Sequence, residues 1–205
     1  RVELAVGRAG PERLAVHAMH AAMSTDSRFA PELLEFHSRD WTGSGAPCRL
    51  RQAFLAWKNP AAIEQVCAIH ERLQPDLWLV HNFLPVGSAA LLPLARSLHV
   101  PVAWFAHNYR PFSVGGAMWA GGRVEDGGLQ LAFGPEILHG AWQGSRLRSL
   151  WMATLLKWLH RAGHVRSVSA WLFPSAFMRD CFCRAGLASD RLHVLPHAWT
   201  TETNC

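Results

Sequence analysis

Two short runs of uninterrupted apolar residues limit what this chain can fold into. Leu77-Trp78-Leu79-Val80 and Val102-Ala103-Trp104-Phe105-Ala106 contain no charged or amide side chain. A strand with one face in water alternates apolar and polar residues. A strand without alternation is covered on both faces, as the inner strands of a parallel sheet are when helices pack against it. Both runs are short for helices, and turn residues set them off: Gln74-Pro75-Asp76 before the first and Pro101 before the second.

Strand and helix patterns alternate around these runs. Further strands are expected at 2–6, 32–37, 170–174 and 192–195. A helix is expected to open at Pro11, where a missing N–H costs little, with Leu14, Ala18, Ala21 and Ala22 on its buried face. Others are expected at 49–57, 60–73, 86–98 (kinked by Pro93), 145–162 and 176–185, the last capped by Ser175 and closed by Gly186. This order predicts an α/β fold: a single Rossmann-like domain over 1–199 with an open, mainly parallel sheet and helices on both faces. Residues 200–205 read as a tail or truncated linker. A length of 205 residues accommodates one such domain.

Composition removes several other classes. Half of the residues are hydrophobic and 17% are charged, which excludes a disordered chain. Five cysteines are too sparse for a disulfide scaffold, and a reducing, cytoplasmic setting is expected. Cys181 and Cys183 fall in one expected helix, where a one-residue spacer points their side chains apart and argues against metal binding. The best candidate for a membrane span, 150–156, is stopped by Lys157 and falls far short of the roughly twenty residues needed. The net charge is +5, nearly all of it from arginine, since Lys58 and Lys157 are the only lysines. Arginine suits phosphate recognition, but no basic run resembles a nucleic-acid arm. Arg146, Arg148, Lys157, Arg161 and Arg166 lie near Trp151 and Trp158. That composition fits either a helix lying on an anionic membrane or a core helix with solvated arginines.

In an open parallel sheet, ligands bind beyond the carboxyl ends of the strands. The residues that follow the expected strands are Gly7 to Arg13, His81-Asn82-Phe83, His107-Asn108-Tyr109-Arg110, Pro174-Ser175 and Pro196-His197. Three of these five ends carry a histidine, which can donate or accept near neutral pH. The glycine turn before the first helix can admit a phosphate to the helix N-terminus. From 108 to 144 the pattern breaks into a glycine-dense segment, and loops of this length inside compact domains are usually functional or disordered.

These motifs, taken in order, resemble the N-terminal domain of family 4 glycosyltransferases. The similar segments are Pro75-Asp76 through His81-Asn82 to Pro85, Val100-Pro101-Val102 with His107-Asn108-Tyr109-Arg110, Gly144-Ser145-Arg146-Leu147, Pro174-Ser175-Ala176-Phe177 and Ala185-Gly186-Leu187. The resemblance implies a GT-B enzyme, with two Rossmann-like domains facing each other across a cleft. The N-terminal domain binds the acceptor, and the C-terminal domain, with no counterpart in this chain, binds the nucleotide-sugar donor. It further implies transfer with retention and without a bound metal or other cofactor, and inactivity of this half alone. Carried over residue by residue, His107 is the catalytic candidate and Gly10 approaches the donor phosphates. His81, Asn82, Asn108, Tyr109 and Arg110 line the acceptor side. Peripheral contact with an anionic membrane, at its inner face, is also implied.

The chain departs from the family pattern in two places. The glycine loop reads Arg8-Ala9-Gly10 rather than two adjacent glycines, and the loop after Arg110 lacks the family's paired cysteines. Two rival readings remain at this stage: a non-catalytic Rossmann-like module that binds a ligand or a protein, and a stand-alone hydrolase on a flavodoxin-like sheet, for which no nucleophile elbow is present.

Overall fold

The structure is a computed structural model and describes residues 2–6, 11–37, 41 and 44–196. The chain divides into two compact units, one built on residues up to Phe105 and the other spanning Ala106–Val194.

The first unit carries four parallel strands: β1 (Val2–Val6), β2 (Pro31–Glu35), β3 (Leu77–Val80) and β4 (Val102–Phe105). Their order is β2-β1-β3-β4, with Val2 opposite Pro31 on one side and Leu77 on the other, and Trp78 opposite Val102. Helices α1 (Pro11–Ser24), α2 (Arg49–Trp57), α3 (Pro60–Leu73) and α4 (Leu91–Ser97) flank this sheet. β4 is buried along its whole length, and β3 at all positions but its first. The absence of alternation in these two runs reflects that double cover. Among the core rings, Phe83 packs on Trp104 at 4.8 Å between centroids. Asn59 sets the start of α3. Its side chain accepts from the Ala62 N–H, and its amide donates to the Val86 carbonyl at 2.8 Å, tying the helix to the loop after β3.

Two expectations for this unit need correction. The helix expected over 86–98 is shorter and begins at Leu91. Ser88 has a positive φ of 74°, which a helix does not allow. Pro93 is therefore the third residue of α4, where its missing N–H would have had no intrahelical partner, and it ends up in the first turn rather than at an interior kink. On α1, Ala21 and Ala22 are exposed, whereas Val16 is fully buried and Met19 and Met23 are half-buried. Valine and methionine remove more apolar surface from water than alanine, so their spacing decides which side faces inward.

The second unit holds β5 (Trp119–Ala120) and β6 (Arg123–Val124) as a small antiparallel hairpin. Next come the short helix α5 (Gly134–Leu138), the long helix α6 (Arg146–Arg161), β7 (Ala170–Phe173), α7 (Ala176–Arg184) and β8 (Leu192–Val194). β7 and β8 are parallel, with Trp171 opposite Leu192. Ser145 and Ser175 cap α6 and α7 by accepting from the N–H groups of Arg148 and Met178. α6 buries Met152, Leu155, Leu156 and Leu159. Phe182 of α7 meets Phe112, Trp171 and Phe173 at 4.8–5.4 Å between centroids. Cys181 is buried and Cys183 exposed, on different sides of α7.

Candidate functional site

In the first unit the chain passes from β1 to β2 on one side and to β3 on the other. The strand order therefore reverses between β1 and β3, and in open α/β sheets ligands bind beyond the carboxyl ends at such a reversal. His81 and Asn82 follow β3 directly. His81 is 1% exposed, and its ring stacks on Phe105 at 5.5 Å with 18° between planes, while Asn82 is half-buried. The His81 carbonyl accepts from the Phe83 N–H at 2.7 Å, which turns the chain sharply after the strand. Gly10 and the glycine loop around it, together with His197, lie outside the described residues.

In the second unit the Ala106 N–H donates to the Leu172 carbonyl at 2.9 Å, fixing the backbone just before His107. His107, Asn108, Tyr109 and Arg110 are all half-buried. Asn108 makes an Asx turn, its side-chain oxygen accepting from the Arg110 N–H at 2.9 Å. The Tyr109 N–H donates to the Gly116 carbonyl at 2.9 Å, closing 109–116 into a loop. The Arg110 guanidinium lies over the Trp142 ring at 4.3 Å and donates to the Val114 carbonyl. Gly116 has a φ of +84°, a conformation that favours glycine, and a Cβ there would crowd the guanidinium at 3.1 Å.

The residues that hold this loop were not singled out from the sequence. Glu136 on α5 is 2% exposed. It accepts from the Ser113 hydroxyl at 2.6 Å and from the Val114 and Gly115 N–H groups at 3.0 and 3.3 Å. The Ser113 oxygen in turn accepts from the Gly116 and Met118 N–H groups, both at 3.0 Å. A buried carboxylate with this set of donors takes the place of a covalent tie in a loop that has no cysteines. Acidic residues with no nearby basic partner in sequence, such as the one in Gly134-Pro135-Glu136, were the only available hint, since the Ser113 partner is remote along the chain.

Two groups near this loop have shifted proton affinities. Burial holds the His160 imidazole below the usual histidine range, a bond to the Pro111 carbonyl pulls it back up, and Arg166 pushes it down again. That bond, at 2.7 Å, requires the proton on Nε2 if the ring is neutral. Burial raises the Tyr109 phenol, and the neighbouring Cys181 adds to the rise.

Among the described residues, no group of three or more His, Cys, Asp or Glu side chains is arranged to hold a metal ion. No helix among them is long and apolar enough to cross a membrane.

Residues 17–202 match the family model described as Glycosyltransferase Family 4. The chain belongs to glycosyltransferase family 4. Three solved structures resemble this family 4 chain in fold. A co-structure of S. aureus MnaA with UDP has a TM-score of 0.51 at 11% identity, covering 94% of this chain and 42% of that one. A UDP-N-acetylglucosamine 2-epimerase from Rickettsia bellii has a TM-score of 0.49 at 15% identity, covering 96% and 44%. A further UDP-N-acetylglucosamine 2-epimerase has a TM-score of 0.48 at 11% identity, covering 94% and 47%. At these identities the likeness concerns the fold alone. The family 4 chain spans less than half the length of each of these structures. No curated protein matches it.

Proposed function

We propose that this family 4 chain is the acceptor-binding half of a GT-B glycosyltransferase that moves a sugar from a nucleotide sugar to an acceptor. One observation supports this above the rest. The His107-Asn108-Tyr109-Arg110 segment leads directly from a strand end into a loop with an internally fixed backbone, in a chain that belongs to family 4. A catalytic side chain has to be held within a fraction of an ångström, and a loop braced by Glu136 meets that need.

In this reading His107 holds hydroxyls of the donor sugar and stabilises charge in the transition state. Gly10 lets the backbone approach the donor phosphates. His81 and Asn82 bind the acceptor after β3, and Asn108, Tyr109 and Arg110 begin the acceptor loop. The resemblance adds retention of configuration and independence of metals. The donor-binding domain is a separate part of the enzyme, and without it this half turns over no donor. Domain closure around the bound substrates excludes water from the reaction.

The same reading puts the enzyme in the cytoplasm, in peripheral contact with the anionic inner face of a membrane. Leu147 and Leu150 support that contact. They stand 77% and 50% exposed on the first turns of α6, beside Arg146 and Arg148. The buried middle of α6 confines any such contact to this end.

The test is sugar transfer by the complete enzyme. His107→Ala is expected to lower kcat about 100-fold or more with the acceptor KM little changed. Full activity of His107→Ala, or donor turnover by the 205-residue chain alone, would overturn the reading.

A further inference from the structure

Residues 106–194 carry ten arginines and lysines against five acids, so the chain's whole excess of +5 falls in the second unit. Every residue of that unit is described. A groove of about 430 Å³ lies within it, with Arg166, Arg191, Val168, Trp171 and Leu187 among its lining residues. That volume lies within the roughly 300–1,000 Å³ of small-molecule sites. The groove sits where the loops after α6 and α7 lead into β7 and β8, at the amino ends of those strands. Substrates of open α/β sheets bind at the opposite, carboxyl ends.

We infer that this groove is a binding site for a dianionic phosphate monoester, held by Arg166 and Arg191 with its organic part against Val168, Trp171 and Leu187. The site does not depend on the transferase reading above.

Hydrogen bonds prepare Arg191 for this role. Its Nη1 donates to the Arg166 and Val168 carbonyls at 3.1 and 3.4 Å, and its backbone N–H donates to the Ala188 carbonyl at 3.1 Å. These bonds position both the turn and the guanidinium. With Nη1 spent, the Nε and Nη2 hydrogens remain along one edge of the plane. That edge is the two-pronged fork that matches two oxygens of a phosphate. Among the described residues, neither this edge nor the Arg166 guanidinium has a hydrogen-bond or ion-pair partner.

The charges select the ligand. No acidic side chain of the second unit lines the groove. Glu125 pairs with Arg123, Asp180 pairs with Arg179, and Glu136 is buried under its own loop. Asp126 and Asp190 are exposed, and neither forms an ion pair with Arg166 or Arg191. Two guanidinium charges are therefore left to be balanced by a ligand. A neutral ligand balances neither, and a monocarboxylate balances one. A phosphate monoester balances both, and the volume leaves room for the group it is attached to.

The test is isothermal titration calorimetry of the 205-residue chain with phenyl phosphate, inorganic phosphate and benzoate at about pH 8, where a phosphate monoester is a dianion. Phenyl phosphate is expected to bind. Inorganic phosphate is expected to bind several-fold more weakly, since it leaves the apolar wall uncovered, and benzoate about tenfold or more weakly. Arg166→Gln and Arg191→Lys are each expected to weaken phenyl phosphate about tenfold or more. The second variant keeps the charge and removes only the fork. Arg166 is exposed, so circular dichroism of Arg166→Gln is expected to match that of the parent chain. Arg148→Gln, on α6 and outside the groove, is the control and is expected to leave binding unchanged.

A second arm locates the source of the monoester, using phosphatidylcholine vesicles that contain phosphatidic acid. Cosedimentation that is lost in Arg166→Gln marks a lipid headgroup. Cosedimentation that is absent, or unmoved by Arg166→Gln, marks a soluble phosphate ester. The site stands in either case. Failure of phenyl phosphate to bind overturns it. So does binding that survives both groove substitutions, benzoate binding as tightly as phenyl phosphate, or equal weakening by Arg148→Gln, which would reduce the effect to diffuse attraction by the unit's charge. None of these results bears on sugar transfer by the complete enzyme, which tests the transferase reading separately.

Discussion

The buried Glu136 carboxylate accepts the Ser113 hydroxyl at 2.6 Å, joining a short helix to the loop that begins at His107. The same carboxylate takes two consecutive backbone N–H groups, and the Ser113 oxygen takes two more. A carboxylate placed where water cannot reach is costly unless donors surround it. Here the donors come from the loop itself, so burial of the charge and ordering of the loop are one event.

Removing the carboxylate strands those donors. Glu136→Ala is expected to destabilise the chain by about 1–3 kcal/mol, the usual cost of leaving buried polar groups unsatisfied. Glu136→Gln keeps one acceptor oxygen and is expected to cost less. Urea denaturation gives both values, and amide hydrogen exchange is expected to speed up at Val114 and Gly115. Unchanged exchange at those two amides in Glu136→Ala would contradict the bracing role.

His160 makes stability depend on pH. Its folded-state affinity for a proton is lowered from the ordinary value of 6.5, chiefly by burial. Below that value the unfolded chain binds a proton that the folded chain still refuses. The contribution of His160 is thus fully present above about 6.5 and declines as the pH falls toward the folded value. Thermal melts are expected to show a lower Tm at pH 5 than at pH 7.5. His160→Gln, which keeps a donor for the Pro111 carbonyl, is expected to flatten that dependence.

Tyr109 is the only tyrosine, so its titration can be followed without interference. Burial raises its affinity for the proton above the ordinary 10.0, with Cys181 contributing in the same direction. Absorbance at the tyrosinate band is expected to give a midpoint above that of a free phenol, and Cys181→Ala is expected to move it part of the way back. A midpoint at or below 10 would mean that the ring is open to water.

Gly128 admits no side chain. A Cβ there would lie 1.8 Å from the Phe112 carbonyl oxygen, and backbone cannot yield as a flexible side chain does. Gly128→Ala is expected to cost about 1–3 kcal/mol or more through overpacking, read as a fall in the urea midpoint. Gly134→Ala is the control, since nothing lies within 4 Å of its added Cβ and little change is expected.

The elements were legible where a local pattern was strong. The apolar runs became β3 and β4, Pro60 opens α3, and Ser175 stands at the cap of α7. Local pattern failed at 86–90, where the positive φ of Ser88 breaks an apolar stretch that otherwise reads as helix. It failed again on α1, where several residues compete for one buried face. It gave little for 108–144, because the hydrogen bonds that order that segment join Ser113 to Glu136 and Pro111 to His160, pairs too far apart for any short window to connect.

The sequence by itself determined the α/β order, the covered inner strands and the strand-end positions of His81 and His107, because periodicity and turn chemistry act over a few residues. Only the tertiary structure decided that Arg110 rests on Trp142, that Glu136 braces the loop, and that Arg166 and Arg191 line one groove. These depend on which distant segments share a small volume, and packing settles that only once the whole chain has folded.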